Sequence, residues 1–366
     1  MSKLTNLLTS VAVLASVAAC APEVERVKGD DCRVTFVGRT DYSVQGEPRQ
    51  WAAGAYFTFA FDGTGCELDI RNEYGFNYLE VIVDSFEPKR FVLDSTMCHI
   101  VIGRVQTAFD SSSVQSIGLF QDLPKGRHNV VVVRDTETGH GYTQLQSITT
   151  TNLSQWTPPT SMMIEFIGNS ITCGAEAYCD LVPYGEGRWG DRHMAYMAYG
   201  PCTARALNAQ WTLTSVSGIG LIHSCCDMDT IIMPRVYDTV ALREGKGKWD
   251  FSYSPDVVCC CLGQNDGIQD VDTFRTEYVK FVKRLRGYYP EAHIVLLGSP
   301  MANDELRAYT AEMLPSVVGE VADAKVTYLM FSRSWNSGGG EHPDVDEHAQ
   351  IAEELTAYLK SIFENK

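Results

Sequence analysis

From residue 162 onward the sequence alternates short, almost continuously apolar runs with longer segments whose apolar residues recur every three or four positions. The apolar runs span residues 162–167, 211–216, 256–262, 293–298 and 325–331, and the predicted helices span 194–207, 271–288, 304–321 and 346–363. Strands that are apolar on both faces are typical of a parallel sheet that helices cover on both sides. The pattern therefore predicts an α/β domain for residues 160–366, with its chemistry at the carboxyl ends of the strands.

The preceding residues, 32–156, have a different composition. Short runs rich in β-branched and aromatic residues, such as 55–61, 78–83 and 128–133, are separated by turn-forming Gly, Pro and Asp. Short strands at this spacing predict a β-sandwich of the jelly-roll type. The proline pair Pro158-Pro159 marks the boundary between the two domains.

The overall charge narrows the choice of partner. The formal net charge is −16 with 46 acidic and 30 basic residues. Nucleic acid demands a basic surface, so the charge argues against a nucleic-acid partner. It is compatible with neutral partners such as uncharged polysaccharides.

The N-terminus has the pattern of an export signal. Residues 7–19 form an apolar stretch that is too short to span a bilayer but suits a signal peptide. The sequence Val17-Ala18-Ala19-Cys20 resembles a bacterial lipobox. We therefore expect a lipoprotein signal peptide at 1–20, lipidation of Cys20, a tether at 21–31, and an exported protein held in the outer envelope, periplasmic or at the cell surface, through this lipid alone. The alternative is a plain secretory signal cut near Cys20.

The sequence contains 12 cysteines, an even number that becomes odd once the lipidated residue is set aside. The run 259–261 lies in an apolar strand and predicts buried thiols. Cys225 and Cys226 lack the C-x-x-C spacing of a zinc site, so we expect no metal there. We expect no other cofactor either. A disulfide between Cys32 and Cys66 is possible, but sequence alone does not assign it.

Four polar motifs fall at strand ends or just before the last helix, and parallel strands would bring them to one edge of the sheet. They are Gly168-Asn169-Ser170-Ile171-Thr172, Ser217-Gly218-Ile219-Gly220, Gly263-Gln264-Asn265-Asp266 and His342-Pro343-Asp344.

Together the motifs supply the parts that ester hydrolysis requires. The Ser170 hydroxyl becomes a nucleophile when a base takes its proton, and an imidazole such as His342, with an ordinary pKa of about 6.5, does this near neutral pH. The backbone N–H groups of Ser170 and Gly218 and the side-chain amide of Asn265 would form an oxyanion hole.

The order of these blocks resembles the SGNH (GDSL-type) hydrolase superfamily. Within it, the chain is similar to carbohydrate esterase family 2, on the strength of the sandwich beginning near Val37, the phrase at 164–174 and the stretch 254–258 that leads into Gly263. The resemblance covers both domains. It implies a serine esterase that removes O-acetyl groups from plant polysaccharides such as acetyl-xylan through an acetyl-enzyme intermediate.

By resemblance, Ser170 is the nucleophile, His342 is the base, and Gly218 and Asn265 complete the oxyanion hole. The chain departs from the family where an acidic residue usually precedes the histidine. SGNH enzymes usually place Asp three residues before it, and relatives place Asp one or two before; here Gly339 and Gly340 stand three and two before His342. We therefore predict a Ser–His dyad in which a backbone carbonyl holds the imidazole, with a full triad as the alternative.

Candidate substrate-binding residues lie near these motifs. Trp335 and Trp189 are suited to stacking on a sugar ring, and Tyr178 and Asp266 lie in segments expected to line the cleft. We expect a monomer. Two other functions stay open: a non-catalytic surface carbohydrate-binding lipoprotein in which the sandwich does the work, and an esterase for other acyl groups.

Overall fold

A computed structural model describes residues 23–104, 115–160, 162–228 and 230–364 of the chain. The predicted signal peptide at 1–20 and the predicted lipidation site Cys20 lie outside the described residues. None of the helices in the described ranges combines the length and the apolar character needed to cross a membrane.

The N-terminal half is built from strands that form two sheets. They are β1 (Val24–Lys28), β2 (Thr35–Val37), β3 (Thr40–Asp41), β4 (Arg49–Gln50), β5 (Tyr56–Gly63), β6 (Gly65–Asn72), β7 (Asn77–Val83), β8 (Lys89–Leu93), β9 (Met97–Gly103), β10 (Gln115–Leu119), β11 (Gly126–Arg134) and β12 (Thr143–Thr151). In the described part of the chain, one sheet has the order β10-β9-β6-β12-β4-β3 with β1 beside β12, and the other has the order β2-β5-β11-β7-β8.

The two sheets pack face to face, as expected for a sandwich. Phe59 and Val132 from one sheet and Leu68 and Ile100 from the other are fully buried in a single apolar cluster. Alternate residues along each strand point inward, so the alternating pattern of the sequence supplies this core.

The segment predicted as a tether is part of the sandwich instead. Strand β1 pairs antiparallel with β12, with Val24 opposite Thr151 and Lys28 opposite Ser147. The pairing satisfies backbone groups that a tether would leave to water. The prediction of a tether over 21–31 is therefore wrong for the residues of β1.

The C-terminal half is an α/β domain with a parallel sheet. Its elements are β13 (Met162–Gly168), α1 (Ser170–Cys173), α2 (Tyr199–Ala206), β14 (Ala209–Ser215), α3 (Met233–Val236), β15 (Thr239–Ala241), β16 (Lys246–Lys248), β17 (Val257–Cys260), α4 (Val271–Tyr288), β18 (His293–Leu297), α5 (Asp304–Val321), β19 (Val326–Leu329) and α6 (Val345–Glu364). Over the described residues the parallel sheet has the order β14-β13-β17-β18-β19, and β15 pairs with β16 in a separate hairpin.

One predicted helix, 194–207, is interrupted. The chain forms a 3₁₀ turn at Ala195–Met197, becomes extended at Ala198, and only then enters α2. Pro201 has no N–H and is tolerated only in a first helical turn, which places the helix start just before it.

The two domains share a buried interface. Arg39, from the sandwich, is fully buried; it donates to the carbonyl of Thr239 at 2.6 Å and lies 3.5 Å from the carboxylate of Glu165 on β13. The indole of Trp211 on β14 donates to the carbonyl of Gly54 at 2.9 Å. A buried guanidinium is tolerated only with such partners, so these contacts fix the relative placement of the domains.

The disulfide pairing of the cysteines differs from the sequence-based expectation, whereas the burial of one run agrees with it. Cys32 and Cys66 are free thiols, the first exposed and the second buried, so they form no disulfide with each other. The run 259–261 is buried, as predicted. The described chain has a disulfide between Cys225 and Cys226, which the sequence analysis did not assign.

Candidate active site

Ser170 lies at the sharp joint between β13 and α1. The side chain of Asn169 caps the short helix by accepting from the N–H of Ile171 at 3.1 Å. A Cβ at Gly168 would lie 2.1 Å from the hydroxyl oxygen of Thr172, so glycine allows the strand to turn this tightly. As a result Ser170 stands at the carboxyl end of the strand, 7% exposed.

His342 lies opposite this serine, although 172 positions separate the two in the sequence. Its Nε2 lies 2.8 Å from the Ser170 Oγ. Its Nδ1 lies 3.0 Å from the carbonyl of Gly339 and 3.1 Å from that of Gly340.

These contacts determine the tautomer of the imidazole. A carbonyl can only accept, so Nδ1 must carry the proton that it donates to Gly339 and Gly340. The lone pair of Nε2 then faces the hydroxyl of Ser170, as a general base requires. Burial lowers the pKa of His342, against the opposing effect of the two carbonyls, and so favours the neutral base.

Among the described residues, the partners of Nδ1 are these two carbonyls and not a carboxylate. Glu341, the neighbouring acidic residue, is exposed. A Cβ at Gly339 would lie 2.4 Å from a carboxylate oxygen of Glu176, so that position has no room for the aspartate that a triad would need.

The residues that carry the three predicted oxyanion donors line one cavity. A cavity of about 290 Å³ is lined by Ser170, Gly218, Asn265 and His342, together with Trp189. Asn265 uses one amide hydrogen on the carbonyl of Ile219 at 2.9 Å, which leaves the other hydrogen available to the cavity.

The position of Gly218 has no room for a side chain. Its φ is +82°, and a Cβ there would lie 2.5 Å from the methyl carbon of Met228 and 3.0 Å from the Cys225 sulfur. The carbonyl of Gly218 accepts from the N–H of Cys225 at 2.9 Å, so the disulfide-linked turn packs directly against the oxyanion-hole loop.

Of the four predicted substrate-binding residues, Trp189 lines the cavity. Its side chain is exposed, and its ring packs edge-on against that of His342 with centroids 6.4 Å apart. Tyr178 lies instead against a separate cavity beside Leu181 and Asp344. Tyr178 therefore does not line the cavity at Ser170, and its role in substrate binding stays a prediction.

Trp335 and Asp266 also have other roles than predicted. Trp335 is 1% exposed and packs edge-on against Phe331 in the core, so it cannot stack on a sugar. The buried carboxylate of Asp266 accepts from the backbone N–H groups of Leu221, at 2.9 Å, and Ile222, at 2.7 Å. Asp266 therefore shapes the loop that follows Gly218 and does not contact substrate.

One residue close to the site was not predicted from the sequence. Glu137, in the sandwich, accepts from the indole N–H of Trp189 at 2.9 Å and from the backbone N–H of Ser217 at 2.7 Å. The only local signal is a turn-forming stretch, and both partners lie more than fifty positions away.

Within the residues that the structure describes, no group of three or more His, Cys, Asp or Glu side chains is arranged to hold a metal ion. His348, six positions after His342, is fully buried and accepts from the backbone N–H of Tyr199 at 3.2 Å. Burial lowers its pKa to about 3, so it is neutral and serves packing.

Comparison with protein families gives two matches. Residues 36–104 match the model of the carbohydrate esterase 2 N-terminal domain, and residues 166–351 match the GDSL-like lipase/acylhydrolase family. Among curated proteins, an acetylxylan esterase/glucomannan deacetylase of Cellvibrio japonicus is 27% identical over 92% of this chain and 91% of its own length. The cellulase/esterase CelE of Acetivibrio thermocellus is 30% identical over 91% of this chain but only 40% of its own length.

Solved structures give the same result. A family two carbohydrate esterase from Cellvibrio japonicus has a TM-score of 0.82 at 25% identity, covering 94% of this chain and 99% of that one. A family two carbohydrate esterase from Clostridium thermocellum, in complex with cellohexaose, has a TM-score of 0.76 at 28% identity, covering 90% and 99%. The similarity therefore extends over both domains.

Proposed function

The chain belongs to the GDSL-like lipase/acylhydrolase family, and we propose that it is a carbohydrate esterase of family 2 that removes O-acetyl groups from plant polysaccharides or oligosaccharides such as acetyl-xylan. It is a carboxylic ester hydrolase. The observation that carries the proposal is the 2.8 Å contact between the Ser170 hydroxyl and the lone-pair nitrogen of His342 in an open cavity.

The proposed reaction has two halves. Ser170 Oγ attacks the acetyl carbonyl carbon while His342 Nε2 takes the hydroxyl proton, and the C–O bond to the sugar breaks as the imidazolium returns this proton to the leaving sugar oxygen. Water then attacks the acetyl-enzyme, again with His342 as base, and releases acetate and free serine.

Electrostatic stabilisation in this proposal comes from the backbone N–H groups of Ser170 and Gly218 and from the free amide hydrogen of Asn265, which surround the developing oxyanion. No carboxylate is needed to orient the imidazole, because the carbonyls of Gly339 and Gly340 accept its Nδ1 proton. We therefore assign a Ser–His dyad.

The test is release of acetate from acetylated xylan and hydrolysis of p-nitrophenyl acetate by the purified protein. Ser170→Ala should lower kcat by several orders of magnitude, because removing a nucleophile leaves only binding and the oxyanion hole. Ser43→Ala, an exposed serine of the sandwich, is the matched control and should keep full activity. Equal rates for Ser170→Ala and the wild type would refute the assignment.

We further propose that the protein is exported and anchored by a lipid on Cys20, in the periplasm or at the cell surface. The apolar stretch at 7–19 and the lipobox-like Val17-Ala18-Ala19-Cys20 support this. Labelling cells with a radioactive fatty acid should mark the wild type and not Cys20→Ala, which should appear in the soluble fraction. Labelling of both or of neither would contradict the proposal.

We also propose a monomer. The large exposed apolar side chains, such as Val24, Phe86, Leu181 and Tyr328, are spread along the described chain, and single exposed apolar residues are ordinary on monomers. Light scattering coupled to gel filtration should give a mass near 40 kDa, and a mass twice as large would contradict it.

A further inference from the structure

Glu137 is a buried carboxylate that the sandwich domain inserts into the α/β domain. Its side chain is 1% exposed. The loop that carries it is fixed from within by Arg134, whose guanidinium donates to the carbonyls of Thr136 at 3.0 Å and Glu137 at 3.2 Å. On its outer side, Glu244 accepts from the Gly139 N–H at 3.0 Å, so the loop is held on both sides.

This carboxylate contacts three different elements of the site. One oxygen accepts from the Ser217 N–H at 2.7 Å, in the loop that presents Gly218, and lies 3.4 Å from the sulfur of Cys173, on the short helix that begins with Ser170. The other oxygen accepts from the indole of Trp189 at 2.9 Å.

A fourth contact extends the network. His193 Nε2 lies 3.0 Å from the same oxygen of Glu137 that accepts from Trp189, and His193 Nδ1 lies 3.0 Å from the backbone carbonyl of Trp189. The rings of Trp189 and His193 also pack edge-on, 5.2 Å apart. The indole is thereby held from two sides, with its ring against His342.

The contacts favour the charged form of Glu137. Burial would raise its pKa, but the hydrogen bond and charge of His193, together with hydrogen bonds from Ser217 and Trp189, outweigh burial and lower it. An ionised carboxylate only accepts, and here each oxygen faces N–H donors. An amide of the same shape would have to turn its NH₂ group toward one of these donors.

We propose that Glu137 is a positioning residue for hydrolysis, which holds the oxyanion-hole loop at Ser217 and the sugar-facing indole of Trp189 in their working places from across the domain interface. It touches neither the serine hydroxyl nor the cavity. Its action is indirect: through Ser217 it sets the Gly218 N–H, and through Trp189 it sets one wall of the cleft. This inference rests on the proposed esterase function.

The test is Glu137→Gln, which conserves size and removes the charge. With p-nitrophenyl acetate, which has no sugar to bind, we expect kcat to fall about 10- to 100-fold at an unchanged KM. Loss of a whole oxyanion donor lowers kcat by a factor of about 10²–10³, and here the donor is only displaced. With acetylated xylan, KM should rise as well, because the indole loses its anchor.

Glu165→Gln is the matched control. Glu165 is also a buried carboxylate at the domain interface, accepting from Thr214 at 2.6 Å and Tyr237 at 2.8 Å, but neither partner lines the cavity. This variant should lose thermal stability while the folded enzyme keeps kcat within about twofold. A purely structural role for Glu137 would make the two variants behave alike.

A double variant separates the action of Glu137 on the Ser217 loop from its action on Trp189. In a Trp189→Phe background the indole N–H is already absent, so adding Glu137→Gln should still lower kcat but should no longer raise KM for acetylated xylan. If Glu137→Gln does not fold, Glu137→Asp carries the test, since it keeps the charge but retracts it by one methylene. A folded Glu137 variant with wild-type kcat overturns the inference, whereas a wild type without esterase activity overturns the proposed function instead.

Discussion

The glycine three positions before His342 provides a sharp test of how the imidazole is held. SGNH enzymes usually place aspartate there, so Gly339→Asp would restore the usual triad pattern in the sequence. In the structure, however, a Cβ at Gly339 would lie 2.4 Å from a carboxylate oxygen of Glu176, 2.7 Å from the Cys179 sulfur and 2.8 Å from the ring of Tyr184. Real Cβ atoms essentially never come this close to a neighbour.

The cost can be worked from these contacts. Glu176 is fully buried and accepts from the guanidinium of Arg192 at 3.0 Å. Overpacking alone costs about 1–3 kcal/mol. A second carboxylate beside Glu176 also strains a buried ion pair, whose complete loss costs about 3–5 kcal/mol. We therefore expect Gly339→Asp to destabilise the protein by about 3 kcal/mol, which lowers the Tm of a chain of this length by roughly 4 °C.

Activity should fall with stability. The new side chain would displace the loop whose carbonyls, at Gly339 and Gly340, accept the Nδ1 proton of His342. The assay is kcat/KM for p-nitrophenyl acetate alongside a thermal melt. Gly319→Ala, in α5, is the control, because nothing lies within 4 Å of its added Cβ. If Gly339→Asp melts like the wild type and hydrolyses ester tenfold faster, the reasoning is wrong.

Three further predictions concern the same cavity. Burial lowers the pKa of His342, and a base works when unprotonated, so kcat/KM should rise with pH through a midpoint below the ordinary 6.5; a pH–rate profile with a midpoint above 6.5 would contradict this. Trp189→Ala should raise KM for acetylated xylan roughly 3- to 10-fold, the worth of one aromatic contact, with a smaller effect on p-nitrophenyl acetate; steady-state kinetics on both substrates would show equal effects if the indole does not face the sugar. Reducing the Cys225–Cys226 disulfide should lower kcat, because its turn packs on Gly218, and Cys225→Ser should reproduce the loss without reductant; full activity of both forms would refute the link.

The sequence predicted the α/β domain well because its signals are periodic. Near-continuous apolar runs produced β13 and the strands beside it, and the predicted bounds of α4 and α5 agree with the structure. The positions of Ser170 and His342 followed from the rule that parallel strands present their carboxyl ends at one edge. Ser170 lies at the end of β13 and His342 lies in the loop between β19 and α6, so their approach to 2.8 Å depends on strand topology and on the course of that loop.

What the sequence did not predict depends on side-chain direction and on distant pairing. Trp335 and Trp189 both lie in loops near the catalytic motifs, and loops have no period that tells an inward ring from an outward one. Trp335 turns into the core against Phe331, while Trp189 faces the cavity. Strand β1 was missed for a related reason, since its partner β12 lies more than a hundred positions later.

The contacts between the domains bear on the alternative in which the sandwich acts as a separable binding module. Tyr56 and Val133 of the sandwich belong to the same buried cluster as Phe166 and Leu213 of the α/β domain. Arg39 places a fully buried guanidinium among acceptors of the other domain, where it lies 3.5 Å from Glu165. Separating the domains would expose this apolar surface and leave the Glu165 carboxylate without its cation, a change that costs several kcal/mol. The sandwich is therefore an integral wall of the esterase fold, which explains why the similarity to family two esterases covers both domains together.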